Sequence, residues 1–165
     1  MDDEEFDDFY AHTVDRLVGQ LYAMTGDLSE AQDVVQEAYL RAWQRRGQLS
    51  WDGAPEAWVR TVAWRLAVSR WRRVRGSVAA WRRHGPADPG QPPSPDRTAL
   101  MDALRRIPES QRVAIVLFHL CDLTVEQVAA EMRVPAGTVK ARLSRGRAAL
   151  APYLDDNDRS EVSGA

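Results

Sequence analysis

The chain has 165 residues, of which 44% are apolar, and a formal net charge of -2 at pH 7. This size fits one ordinary domain or two small ones, and the composition is that of a globular protein. The longest uncharged apolar run, residues 113–121, has about half the length that a bilayer span needs, and the acidic start MDDEEFDDF is unlike a signal peptide. We therefore expect no membrane insertion and a location in the cytoplasm.

The charged residues are grouped into acidic and basic blocks along the chain, although the net charge is small. Residues 1–40 hold eleven acids and one base, residues 41–84 hold eleven arginines and two acids, and residues 99–154 hold eight bases and five acids. Two basic blocks on either side of a neutral segment are typical of a protein that touches a polyanion at two places. Basic helix faces that are merely solvated remain the alternative.

Two helices are predicted in the acidic block. The first carries an apolar stripe of Val14, Leu17, Val18 and Leu21. The second follows the turn TGDL, where Ser29 and Gln32 have the spacing of a capping box. Its expected inner face consists of Ala31, Val34, Val35, Ala38, Tyr39 and Ala42.

The outer side of the second helix is a candidate protein-binding face. There, polar residues surround a single leucine; the set is Asp33, Gln36, Glu37, Leu40 and Gln44. An isolated apolar residue on a solvated helix is common, so a face without a partner is the alternative.

A third helix is predicted to begin near Pro55, because proline is favoured at the first helical position. Its expected buried stripe is Trp58, Val59, Val62, Ala63 and Leu66. The other side mixes tryptophan with arginine, in Arg60, Trp64, Trp71, Arg72, Arg73 and Arg75. Indole rings can stack on unpaired bases while guanidinium groups hold phosphates, so this face is a candidate for binding melted nucleic acid. Alternatively, Trp64 and Trp71 pack against another helix.

Residues 84–97 hold five of the nine prolines and are predicted to be a linker. At about 3.1 Å per residue such a segment reaches roughly 40 Å, more than one turn of B-DNA. We therefore expect an all-α protein of two small helical domains, residues 1–83 and 98–154, joined by a Pro-rich linker and followed by a polar tail, residues 155–165.

In the second domain a helix is predicted from Ser94 and Pro95 to Pro108. The next helix is expected to bury Val113, Val116, Leu117 and Leu120. Thr124 and Gln127 then form a second capping box, which opens a short helix with Val128, Ala129 and Met132 inside.

A tight turn at residues 133–135 leads into a basic helix, which is the helix-turn-helix pattern. On a helical wheel the buried side is Val139, Leu143, Gly146 and Leu150. The outward side is Gly137, Thr138, Lys140, Ala141, Ser144, Arg145 and Ala148. Small residues allow close approach to a groove, where Arg145 can reach a guanine edge while Lys140, Arg142 and Arg147 reach phosphates.

Signs of catalysis are weak. No histidine has ligand spacing to another, and we expect one surface, one linker and one core histidine in His12, His84 and His119. The single cysteine, Cys121, is expected to be an inert core thiol. We therefore expect no catalytic residue, metal, cofactor or small-molecule substrate.

Two stretches, PAGTVKARLSRGRAAL at residues 135–150 and SEAQDVVQEAYLRAW at residues 29–43, resemble bacterial extracytoplasmic-function (ECF) sigma factors, the small two-domain specificity subunits of RNA polymerase. The resemblance covers nearly the whole chain. It implies that the first stretch reads the promoter -35 element. It also implies that the second docks on the clamp coiled coil of core RNA polymerase through Asp33, Gln36, Glu37 and Leu40.

The resemblance also assigns the third helix to melting and reading the -10 region of promoter DNA. The residues implied are Trp51, Arg60, Trp64, Arg65, Trp71, Arg72 and Arg73, with Trp51 in the loop QLSWDGA that holds a flipped base. Arg65 and Ser69 stand where the family often has asparagine and aspartate. An anti-sigma factor is a further implied partner. An autonomous dimeric helix-turn-helix regulator remains the alternative function.

Overall fold

The computed structural model describes residues 1–50, 53–75 and 95–162, and their side chains over 1–50, 53–73 and 99–155. Within these ranges it contains seven α-helices and no strand, which confirms the all-α prediction. The chain divides into two compact units, Met1–Asp88 and Pro89–Ala165. Most of the predicted linker lies outside the described residues, so the domain boundaries drawn from the sequence stay predictions.

The first helix, α1, spans Asp3–Thr25 and includes the acidic start of the chain. Asp2 caps it, since its carboxylate accepts the Glu5 backbone N–H at 2.8 Å and the Glu5 carboxylate accepts the Asp2 backbone N–H at 2.8 Å. Acids in the first turn also suit the positive end of the helix dipole. Gly26 ends α1 in the left-handed region, with φ of 73°.

The second helix, α2, spans Leu28–Gln44 and begins at a different cap from the one expected. The Asp27 carboxylate accepts the Glu30 backbone N–H at 3.0 Å. The capping box predicted at Ser29 and Gln32 is therefore wrong, because Asp27 is an equally good cap and comes first in the chain. All six residues expected on the inner face are buried, as predicted.

The contact between α1 and α2 is aromatic. Phe6 and Phe9 are 6% and 3% exposed, and the Phe6 ring centroid lies 5.1 Å from that of Trp43. The Phe9 and Tyr39 rings lie 5.7 Å apart, and the Thr13 and Tyr39 hydroxyls share a hydrogen bond. Burial raises the pKa of the Tyr39 phenol to about 12. The first turns of α1 therefore belong to the core.

The third helix, α3, spans Pro55–Arg75 and packs against both α1 and α2. Its buried residues are Pro55, Val59, Arg60, Ala63 and Ala67, while Trp58, Val62 and Leu66 are half-buried. Arg16 of α1 binds Glu56 through two hydrogen bonds of 2.7 and 2.8 Å, and Arg70 lies 3.8 Å from Glu30 of α2. These ion pairs join α3 to both neighbours.

The second unit is built from four helices and a π-helical turn. They are α4 (Pro95–Arg106), α5 (Glu109–Ile115), the π turn (Val116–Leu120), α6 (Val125–Met132) and α7 (Ala136–Val162). The predicted capping box of α6 is confirmed, with Thr124 N–H to Gln127 at 2.9 Å and Gln127 N–H to Thr124 at 3.2 Å. The final helix continues past Pro152, which removes one backbone donor, into the predicted polar tail.

The π turn changes which side chains reach the core. The Cys121 backbone N–H bonds to the Val116 carbonyl at 3.0 Å, a five-residue step. Leu120 and His119, both expected in the core, are exposed, so those two predictions are wrong. A π turn adds a residue to the helical turn, so the side chains that follow fall out of phase with the apolar stripe of α5.

Candidate DNA and polymerase interfaces

The helix-turn-helix consists of α6, the turn at residues 133–135 and α7. Arg133 takes the left-handed conformation, with φ of 55°, and the Val134 backbone N–H bonds to the Ala129 carbonyl at 3.1 Å. Val128 of α6 and Val139 of α7 have no exposed surface, so the two helices share a core. This packing fixes which side of α7 faces outward.

The buried side of α7 is the one predicted. Val139, Leu143, Gly146 and Leu150 are all buried. Gly146 allows α7 to approach α5 closely, because a Cβ built on it would lie 2.5 Å from Ile115 Cδ1. Atoms in contact normally lie about 3.5 to 4.0 Å apart, so a side chain at this position would require its neighbours to shift.

The outward side of α7 forms a basic surface around small residues, and we call it the α7 outer face. Its exposed members are Gly137, Lys140, Ser144, Arg145, Arg147 and Ala148. The half-buried members are Thr138, Ala141 and Arg142. Residues 134–150 include four cations and no acid, so the local charge is strongly positive despite the net charge of the chain. Such a surface fits the phosphates and base edges of a DNA groove.

The exposed side of α3 retains most of the predicted tryptophan and arginine residues. Trp71 is 40% exposed, and Arg65, Arg72 and Arg73 are exposed, while Trp64 is half-buried. Trp51, predicted to lie in the base-binding loop, falls outside the described residues. The outward side of α3 can therefore present one exposed indole ring among guanidinium groups.

Arg60 does not belong to this surface. It is 6% exposed, and its Nε is buried without a hydrogen-bond partner among the described residues. The expectation that Arg60 lies on the exposed side of α3 beside Trp64 is therefore wrong, and nothing in the described structure offers its guanidinium to DNA. The buried side of α3 runs through Val59, Ala63 and Ala67, a line that lies nearer to Arg60 on the helix than the stripe predicted from periodicity.

The candidate protein-binding surface of α2 is largely solvent-exposed, as predicted. Leu40 is 56% exposed, Asp33 and Gln36 are exposed, and Glu37 is half-buried. The Glu37 carboxylate accepts a hydrogen bond of 3.0 Å from Arg41 Nε. Sequence reasoning missed this pair, although the spacing of four residues on one helix was a signal for it.

The described residues offer neither a metal-binding cluster nor a membrane-spanning helix. Among these residues, no group of three or more His, Cys, Asp or Glu side chains could hold a metal ion. No helix in the same part of the chain has the length and apolar character to cross a membrane. His119, expected in the core, instead accepts a hydrogen bond of 3.2 Å from Arg147 Nε.

Two helical units, one of them carrying a helix-turn-helix with a basic outer face, define a DNA-binding protein of the helix-turn-helix class. Residues 9–77 match the family Sigma-70 region 2, and residues 97–150 match Sigma-70, region 4. Each matched segment lies within one of the two helical units. They include α2, α3, the helix-turn-helix and the α7 outer face.

Individual proteins agree with this assignment. The chain is 32% identical to the ECF RNA polymerase sigma factor SigL of Mycobacterium tuberculosis, over 81% of this chain and 79% of that protein. It is 29% identical to the ECF sigma factor SigE of Mycolicibacterium smegmatis over 90% of this chain, but spans only 61% of that relative's length. The chain belongs to the ECF RNA polymerase sigma factors, which confirms the resemblance seen in the sequence.

A solved structure shows the same fold. The sigma factor RpoE of Bartonella quintana, crystallised in complex with the anti-sigma factor NepR, superposes with a TM-score of 0.72. The match covers 92% of this chain and 98% of that one, at 24% identity. The likeness supports the all-α fold with its two helical units.

Proposed function

We propose that this sigma factor directs core RNA polymerase to promoters by binding the -35 duplex with α7 and by separating and reading the -10 region with α3. The α7 outer face supports this proposal most directly. It combines exposed cations, which can bind phosphates, with small residues at the centre, which let the helix come close to base edges. The role needs no catalytic residue in this chain, because the polymerase performs the chemistry.

The outer side of α2 is the proposed docking surface for the clamp coiled coil of polymerase. Leu40 supplies an apolar contact that water covers in the free protein, and Asp33, Gln36 and Glu37 supply polar contacts around it. An apolar centre with a polar rim is the usual composition of a protein interface. Because polymerase works in the bacterial cytoplasm, we infer the same location for this protein.

Co-purification with core RNA polymerase tests the docking proposal. The variant Asp33→Ala, Glu37→Ala, Leu40→Ala should lose the stoichiometric association that the wild type shows. A matched control, Asp7→Ala with Asp15→Ala, removes two exposed carboxylates from α1 and should still bind. If the folded wild type ignores polymerase and instead binds duplex DNA as a dimer, the proposal is wrong.

The role of α3 in strand separation predicts a separate defect. Trp71→Ala in the reconstituted holoenzyme should leave promoter binding largely intact but reduce the reactivity of unpaired thymines in the -10 region toward permanganate. Trp71→Phe keeps an aromatic ring and should retain more of that reactivity, because stacking is worth about 1 to 3 kcal/mol per base. Equal melting by all three proteins would contradict the proposed role of Trp71.

An anti-sigma factor is the proposed regulatory partner, by analogy with the RpoE–NepR complex. Such a protein would act by covering the surfaces that meet polymerase or DNA. We expect purification from the native cell to yield a stoichiometric partner that prevents polymerase binding in vitro. A co-purified protein that leaves polymerase binding unchanged would contradict this mode of control.

A further inference from the structure

The side chain of Arg147 on α7 is held by the π turn. Its Nε donates to His119 Nε2 at 3.2 Å, and its Cζ lies 5.6 Å from the centroid of the Phe118 ring. The Phe118 and His119 rings meet edge to face, with their centroids 4.9 Å apart. One guanidinium donor is thus engaged, while the four N–H groups on the two Nη atoms make no hydrogen bond to a described residue and can meet another partner.

The π turn brings His119 to the surface. Val116 and Leu117, the first two residues of the turn, are buried and anchor it in the core. Phe118 is half-buried and His119 is exposed, so the pair extends from the core to the side of α7. The contact therefore joins an exposed cation of the α7 outer face to a fixed part of the second unit.

We infer that His119 is a positioning residue for DNA binding, which holds the Arg147 guanidinium ready to meet a backbone phosphate. This inference rests on the proposed DNA-binding role of α7. A long side chain loses rotamer freedom when it binds, and one that is already held loses less. An imidazole can accept a hydrogen bond at Nε2 only when that atom carries no proton, so the contact with Arg147 corresponds to the tautomer protonated on Nδ1.

The test measures binding of the full chain to a random-sequence duplex between about 50 and 200 mM salt, since phosphate contacts do not depend on sequence. Arg147→Ala should weaken binding and reduce the slope of log K against log salt by about 1. His119→Ala should weaken binding about 3- to 10-fold, which corresponds to ordering one flexible side chain. The double variant should bind no more weakly than Arg147→Ala alone, because His119 acts only through Arg147.

Two conservative variants separate positioning from a general structural role. His119→Gln places an amide near the position of Nε2 and can accept the bond, so it should restore binding to within about twofold of the wild type. His119→Asn places its amide near the position of Nδ1 instead and should behave like His119→Ala. Far-ultraviolet circular dichroism checks that all variants keep the helical content of the wild type.

The inference is overturned if His119→Ala binds as well as or better than the wild type, or if its effect adds fully to that of Arg147→Ala. Lys140→Ala separates this failure from failure of the proposed function. Lys140 stands seven residues from Arg147, about 10 Å along α7, so its effect should be additive with that of His119→Ala. If Lys140→Ala weakens DNA binding and Arg147→Ala does not, only the inference about His119 fails. If neither variant weakens DNA binding, the proposed DNA-binding role of α7 fails as well.

Discussion

The close approach of α7 to α5 makes Gly146→Ala a sharp test of the second unit's packing. A Cβ at position 146 would lie 2.5 Å from Ile115 Cδ1 and 3.3 Å from both Ile115 Cγ1 and Gln111 Cβ. The Cδ1 atom can rotate away, but Ile115 is 6% exposed, and an off-rotamer side chain costs about 0.5 to 1.5 kcal/mol. At the two 3.3 Å contacts the neighbouring atoms must give by a few tenths of an ångström.

Helix propensity acts in the opposite direction. Alanine is more favourable than glycine in a helix interior by about 0.8 to 1.0 kcal/mol, while overpacking a core costs about 1 to 3 kcal/mol. We therefore expect Gly146→Ala to destabilise the second unit by about 1 kcal/mol. Gly137→Ala is the matched control on the same helix, because nothing lies within 4 Å of a Cβ built there. It should leave stability equal or higher.

Hydrogen exchange of the α5 and α7 amides is the appropriate measurement, because all six tryptophans precede residue 82 and their fluorescence follows the first unit. A loss of 1 kcal/mol should lower protection about fivefold. Ile115→Val removes Cδ1 at a cost of about 0.5 to 1.5 kcal/mol, and in this background Gly146→Ala should become neutral or stabilising. Stabilisation by Gly146→Ala alone, or additive effects in the double variant, would refute the close-packing argument.

Three further predictions concern charge and recognition. Arg145→Ala should lose about 1 to 3 kcal/mol of discrimination at one base pair of the -35 site, measured with single-base substitutions in the duplex; equal losses on every sequence would show a phosphate contact instead. Burial raises the pKa of Tyr39 from its ordinary value of 10.0 to about 12. The folded state therefore holds the phenol proton more tightly than the unfolded state does. This difference stabilises the first unit fully below pH 10, and the stabilisation is lost as the pH rises toward 12. Between pH 10 and 12 the free energy of unfolding of Tyr39→Phe should therefore fall less steeply with pH than that of the wild type. The two slopes should differ by up to about 1.4 kcal/mol per pH unit. Asp7→Asn with Asp8→Asn should strengthen DNA binding by the free protein at low salt if the acidic start repels DNA, and the gain should vanish as salt rises; unchanged affinity at low salt would refute the repulsion.

Sequence periodicity predicted the faces of α2 and α7 well, because each helix has one buried side of regular spacing. All six inner residues of α2 and all four of α7 are buried. Periodicity was less accurate on α3, where Trp58, Val62 and Leu66 were expected in the buried stripe but are only half-buried. Arg60, expected outside, is buried instead. The predicted burial of Leu120 was also wrong, because the spacing of apolar residues does not indicate where a π turn forms.

The sequence predicted most of the exposed residues of the candidate interfaces, but not the contacts that hold them. A helical wheel predicts the exposed cations of α7, because residues opposite a regular buried stripe are expected to face solvent. The bond from Arg147 to His119 joins residues 28 positions apart, and no local pattern signals it. Similarly, the choice of Asp27 over Ser29 as a cap depends on the path of the preceding turn, which propensity alone does not fix.

The acidic block at the start of the chain is structural as well as electrostatic. Asp2 and Glu5 form the capping box of α1, and the Asp3 carboxylate binds Arg46 Nε at 2.8 Å. Phe6, within the same stretch, is packed in the core. Removing residues 1–8 would therefore unfold part of the first unit, and a change in DNA affinity after such a deletion could not be assigned to charge. Neutralising Asp7 and Asp8 leaves these contacts in place, so only that substitution isolates the electrostatic effect.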